Sequence, residues 1–183
     1  MKWRRLSDRI TRLLHPRLTV LVTSRLGDDV NVMTASWVTP VSANPPIVAV
    51  SIAPERKTFG MIVRSGEFAL NVLEMEYLDA VYLCGRISGK RVKNKFKKAG
   101  LTPINARKIG APAIKEASAV LECEVWKTVE AGDHVLFLGE VIEAYASEKF
   151  DEIWRVDEFK PIFHVGGRKF AGVGGEILAK EGK

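Results

Sequence analysis

The sequence predicts a mainly β fold with helical insertions, organised as a single domain over residues 1–183. Three observations carry this expectation. Apolar runs of roughly six to ten residues recur along the chain, separated by short turns containing Gly, Asp or Pro. Helical spacing is confined to a few short stretches. No internal repeat, low-complexity tract or linker interrupts the 183 residues, a length that suits one core. A barrel with helical insertions, over about residues 18–172, satisfies all three.

The elements follow in order. Trp3, Leu6, Ile10, Leu13 and Leu14 recur at helical spacing up to Pro16, which predicts an N-terminal amphipathic helix over about 2–15. "LTVLVTS", "RLGDD" and "VNVMTASWV" read as strand, turn and strand, with Gly27 in the turn. "PIVAVSI" is apolar on both faces, as a strand covered on both sides would be. "ERKTFGMIVRSG" predicts one short helix ending near Gly66, and "EFALNVL" a further strand. "EYLDAVYLCG" and "KRVKNKFKKAG" predict two helices, the second with Val92 and Phe96 at i and i+4. "AVLECEVWKTV", a turn at "EAGD" and "HVLFLGEVIEAYA" return to strands, and a Phe- and Gly-rich tail follows Asp157.

Composition narrows the function classes. A hydrophobic share of 46% and a charged share of 27% are those of a soluble globular protein. No apolar run approaches the ~20 residues that span a bilayer, and no secretory leader is visible, so no membrane partner is expected. Cys84 and Cys123 have no CxxC or Cys/His spacing, which argues against a disulfide framework and predicts no metal site. Reduced thiols place the chain in the cytoplasm. Cys123 alternates with Leu121 and Val125, as a small buried residue on one strand face would.

The net charge of +6 is unevenly distributed. Residues 1–17 hold six Arg or Lys against Asp8 alone, and residues 86–98 hold seven against no acid, so the remainder of the chain is acidic. Such local basicity invites phosphate motifs, but "CGRISGK" lacks P-loop spacing and "AGVGGE" does not complete GxGxxG. A nucleic-acid binder using the two basic segments is an alternative. No recognition motif supports it, and aromatic residues do not interleave with the charges.

The stretch "NVMTASWVTPVSANPPIVAVSI" places Thr34, Ser36, Thr39, Ser42 and Trp37 between two apolar runs. Arg56, Lys57 and Thr58 follow where a helix begins, and helix N–H groups with Arg or Lys make an anion site. Ser88, Lys90 and Lys95 add polar and cationic groups near a second helix start. Together these suit a phosphate, with Trp37 available to a flat heterocycle. The plain alternative is a strand corner eased by hydroxyls, a core Trp and solvated lysines. The residues alone leave both open.

The order "MTASWVTPVS", "NPPIVAVSI", "RKT", "SGEFALNVL", "SGKRVKNKF", "LECEV" and "GDHVLFLGEV" resembles the flavin reductase-like family, over roughly residues 15–172. Its archaeal ferric reductase and flavoredoxin-like members are the most similar. The resemblance implies an FMN-binding split β-barrel, a homodimer with each FMN at the interface, and NADH or NADPH as co-substrate. Met33, Thr34, Ala35, Ser36 and Trp37 would line the isoalloxazine. Ser51, Arg56, Lys57 and Thr58 would meet the ribityl phosphate, helped by Ser88 and Lys95. Asn94 departs from the family pattern, in which Asp often precedes the Lys-Phe pair. The same resemblance places His134, the candidate catalytic residue, where a nicotinamide or acceptor approaches. A neutral imidazole there can orient a donor or shuttle a proton. The activity implied is hydride transfer from NAD(P)H to FMN, then electron delivery to free flavin, ferric iron or a redox protein. The alternative is an FMN electron carrier without nicotinamide activity.

Overall fold

The structure, a computed structural model, describes residues 3–175. Its centre is a seven-stranded antiparallel sheet built from β2 (Val20–Leu26), β3 (Asp29–Ala35), β4 (Val38–Ala43), β5 (Pro46–Ile52), β6 (Glu67–Val72), β9 (Ala119–Ala131) and β10 (His134–Ala146). The strand order is β3-β2-β6-β9-β10-β5-β4. β1 (Arg17–Leu18), β11 (Phe163–Gly166) and β12 (Lys169–Ala171) form a small sheet, and β7 (Pro103–Ile104) pairs with β8 (Ala113–Ile114).

Two hairpins are set by the same turn chemistry. Gly27 at φ 59° and Gly132 at φ 64° are each followed by Asp, and each supplies the positive φ that a tight connection needs. The β9–β10 hairpin is the longest, and its register shifts between Leu138 and Gly139. A Cβ on Gly139 would lie 2.5 Å from the Phe68 ring, so the strand comes this close to the core only because it carries glycine there.

The sheet curls around Val22, Val50, Phe68, Cys123 and Phe137, which are buried together. Cys123 is indeed a core residue. Helix α1 (Lys57–Ser65) buries Met61 and Ile62 and ends on Gly66 in the left-handed conformation, where the sequence places its stop. Helices α2 (Leu78–Arg86) and α3 (Lys95–Ala99) cover β2 and β3 through Val81, Cys84 and Phe96.

Three sequence expectations need correction. Of the N-terminal helix expected over 2–15, whose first residue lies outside the described residues, the described part holds only a five-residue 3-10 helix, Ile10–Leu14, preceded by Arg9 at φ 53°. Trp3, Ile10, Leu13 and Leu14 stay largely exposed; a segment this short does not hold an α-helix in water without a face to pack on. The helix expected over residues 90–100 begins only at Lys95, because the Asn94 side chain accepts from Lys97 N at 2.9 Å and caps it there. Val92 therefore lies outside that helix. The hydroxyl-rich corner, finally, contains a strand of its own, β4, which forms a hairpin with β5.

Candidate functional site

β3 and β4 are the two edges of the seven-stranded sheet, and Ser36 and Trp37 are the only residues between them. The chain thus crosses from one edge to the other at that dipeptide. Its crossing is pinned to β5, where Ser51 N–H donates to Trp37 O at 2.9 Å. A cavity of about 310 Å³ opens along this crossing, between the free edge of β3 and the end of β5. An edge strand presents unpaired backbone N–H and C=O groups, which suit a polar flat ligand. From Asn31 to Trp37 the chain runs at most about 20 Å at strand rise, so one strand reaches both ends of an elongated molecule.

The residues that the family resemblance assigns to the site all line this one cavity: Met33, Thr34, Ala35, Ser36, Trp37, Ser51, Arg56, Lys57, Thr58, Ser88, Lys95 and His134; Thr39, Ser42 and Lys90, singled out beside them in the sequence, do not. Four distant stretches of sequence are thereby brought together by the fold. Sequence reading missed Asn31, Gly85 and Gly89, which line it too. Asn31 Nδ2 donates to Thr58 Oγ1 at 2.7 Å, fastening β3 to the start of α1. A Cβ on Gly89 would come within 2.2 Å of Asn31 Oδ1, so only glycine lets the loop lie against that pair. The "SG" of "SGK" was the signal for Gly89; for Asn31 no local signal exists.

One end of the cavity is cationic. α1 has nine residues, no acidic residue in its first turn and no side chain capping its N-terminus, so its positive dipole end and free N–H groups are uncompensated. Lys95 is only 4% exposed and donates to Cys84 O at 2.7 Å. Burial, and then the nearby charges of Arg56 and Lys57, push the Lys95 ammonium below its ordinary pKa; only Cys84 opposes them. A buried cation among like charges is relieved by an anion. Lys57 contributes differently from the expectation. Its Nζ is paired with Asp29 at 2.7 Å, so what it offers an anion is its backbone N–H. Arg56 makes only an exposed 3.5 Å contact with Glu55.

The other end is flat and aromatic. The Trp37 and His134 rings lie 4.7 Å apart at 36°. His134 Nδ1 is 2.7 Å from Asp133 Oδ1. With Asp133 ionised, Nδ1–H donates and Nε2 is left as the acceptor of the neutral ring. The bond to His134 holds the Asp133 carboxyl below its ordinary value. The turn contact and the cavity position of His134 therefore coexist.

Residues 12–166 match the flavin reductase like domain. Among solved structures, the FMN-binding protein from Thermus thermophilus with bound 1-cyclohex-2-enone superposes with a TM-score of 0.86 at 26% identity, covering 98% of this chain and 100% of that one. A flavoredoxin from Methanosarcina acetivorans gives 0.87 at 25% identity, covering 98% and 95%. A ferric-chelate reductase (NAD(P)H) from Archaeoglobus fulgidus is 32% identical over 111 residues, which are 60% of this chain and 64% of that protein. The fold is the split β-barrel of these proteins.

Proposed function

This chain belongs to the flavin reductase-like family, and we propose that it is an oxidoreductase binding FMN non-covalently in the β3–β5 cavity. The observation that carries the proposal is the polarity of that cavity, cationic at one end and aromatic at the other. An FMN phosphate bears close to two negative charges, and Arg56, Lys95 and the N-terminal N–H groups of α1 supply what such a group needs. Thr58, Asn31 and the close approach at Gly89 shape that pocket. Ser36, Trp37 and the β3 edge would hold the ring system, with His134 beside it.

The flavin, when bound, supplies the hydride and electron chemistry. The protein's part is to bind, orient and exclude water. His134, with Nε2 as a free acceptor, would receive or return a proton where a donor approaches. We propose NADH or NADPH as donor and free flavin, ferric iron or a redox protein as acceptor, supported by similarity to the ferric-chelate reductase. A homodimer is the proposed assembly; exposed Trp126, Val129 and Val41 on the β9–β10 hairpin and edge strand β4 support an apolar contact between copies. The buried free thiols Cys84 and Cys123 support a cytoplasmic setting. Among the described residues no helix is long and apolar enough to cross a membrane.

The second reading, an FMN electron carrier without its own nicotinamide activity, is favoured by the likeness to flavoredoxin over nearly the whole chain. Anaerobic addition of NADH or NADPH to the FMN-loaded protein decides between the two. Bleaching of the flavin bands supports the reductase; bands that persist, and bleach only with a reduced partner protein, support the carrier.

A further inference from the structure

The two basic segments, residues 1–17 and 86–98, lie far apart in the chain, yet the fold brings them to one rim. The β11–β12 hairpin joins them. Arg17 of β1 pairs with His164 of β11, and its guanidinium stands 6.0 Å from the Trp37 ring. Arg12 lies against the same hairpin, where a Cβ on Gly166 would come 4.0 Å from Arg12 Cδ. Arg168, in the hairpin turn, holds its guanidinium 5.9 Å from the ring of Tyr82 on α2. Arg86 follows Tyr82 by four residues on that helix, and both line one small cavity with Gly167.

From Arg86 the chain enters the loop before α3, whose Ser88 and Gly89 line the β3–β5 cavity. Lys90, Arg91 and Lys93 of that loop are exposed, as are Arg12, Arg86 and Arg168. Among the described residues none of these cations pairs with a carboxylate. A merely solvated charged face alternates the two signs, whereas residues 86–98 hold no acid. Like charges crowded in this way repel one another and weaken the compact state. An anionic counterpart relieves that repulsion.

We propose that this rim is the docking surface of an acidic electron-carrier protein, seated over the Ser36–Trp37 end of the cavity. The inference rests on the reading of that cavity as a flavin site. A small anion is met by a few cations at one spot. Here the cations come from three chain segments and border both ends of the cavity, which suits a protein surface better. Complementary charge of this kind steers transient electron-transfer complexes, which bury little area. Single-stranded nucleic acid would stack its bases on aromatic rings among the charges, and none occurs from Arg86 to Lys95. Reduced FMN would give one electron to each of two carrier molecules in turn and its two protons to water.

The test uses the FMN-loaded full chain, photoreduced without oxygen, and two oxidised probes, acidic cytochrome b5 and basic cytochrome c. Stopped-flow absorbance follows haem reduction. The rate with cytochrome b5 should fall about tenfold or more between about 10 and about 300 mM salt, while that with cytochrome c does not fall. Lys90→Glu and Arg168→Glu, on different segments, should each slow cytochrome b5 about fivefold or more at low salt and leave FMN affinity within a few-fold. Arg64→Glu makes the same charge change in the last turn of α1, away from the cavity, and should slow it less than about twofold. Equal low-salt rates for the two cytochromes, or rim variants no slower than Arg64→Glu, overturn the proposal. A chain that ignores the cytochromes but retains duplex DNA at physiological salt overturns it in favour of nucleic acid. FMN loading is measured first, by absorbance. If none is taken up, calorimetry of the FMN-free chain with cytochrome b5 at low salt reads the surface alone. Binding that Lys90→Glu abolishes then upholds the surface and refutes only the flavin reading, and no binding overturns the surface too.

Discussion

The Trp37 indole and the His134 imidazole lie 4.7 Å apart, although 97 positions separate them in sequence. One belongs to the dipeptide that joins the two sheet edges, the other opens β10, and strand pairing brings them to one mouth. Removing each should have a different consequence. We expect Trp37→Ala to weaken FMN binding by about tenfold or more through lost ring contact. His134→Ala should leave FMN binding within a few-fold and slow flavin reduction by roughly 100-fold or more. Equilibrium binding and anaerobic stopped-flow reduction, run on both variants, separate these effects.

The cationic end makes a sharper distinction. Lys95→Met should lower FMN affinity by about 10–100-fold, the loss of one charge-assisted hydrogen bond, while riboflavin affinity stays unchanged because riboflavin has no phosphate. An equal loss for both flavins would place Lys95 elsewhere than at the phosphate. The sign of its pKa shift adds a pH expectation. Burial lowers the Lys95 pKa, and a bound phosphate dianion should raise it again, so FMN binding should take up protons at high pH. Titrations in buffers of different ionisation enthalpy detect that uptake.

Gly89→Ala should act on the site without unfolding the chain. The added Cβ meets the ends of the Asn31 and Lys57 side chains and not backbone, so those side chains must move. We expect FMN affinity to fall by about tenfold or more while the melting temperature changes by only a few degrees. Thermal melts beside flavin titrations check both halves.

Glu74 governs acid stability away from the cavity. Burial alone would raise its pKa, but hydrogen bonds from Lys149 at 2.8 Å, Ser118 at 2.6 Å and the Lys160 N–H at 3.0 Å prevail and hold the carboxyl below its ordinary 4.5. A lowered carboxylate pKa contributes stability that is present above the ordinary value and lost as pH falls through the lowered one. Glu74→Gln should therefore cost about 1–3 kcal/mol near neutrality and flatten the acid limb of the stability curve. Urea melts from pH 7 down to pH 3 measure both.

Much of this was legible in the chain because it rests on local signals. Gly27 and Gly132 mark hairpins by the positive φ they supply, and Gly66 stops α1 for the same reason. The family motifs pointed to twelve of the residues that line the cavity, Lys95 among them. Asn94 looked like a departure from the pattern, yet Asn caps a helix as well as Asp does, and its side chain caps the start of α3. What stayed hidden depends on distant contacts. The role of Asn31 is set by Thr58, the tie between Lys57 and Asp29 forms only when the β2–β3 turn meets α1, and β4 becomes a strand because β5 offers it an edge. The apolar spacing of residues 3–14 suggested a helix, but spacing cannot say whether a surface exists for that face to cover.

The central claim is that the cavity between β3 and β5 holds FMN by its phosphate and its ring together. Calorimetric titration of the desalted chain with FMN and, separately, with riboflavin tests it most directly. We expect one FMN per chain at micromolar Kd or tighter, and riboflavin at least about tenfold weaker. No FMN binding at tens of micromolar, or equal affinity for the two flavins, would contradict it.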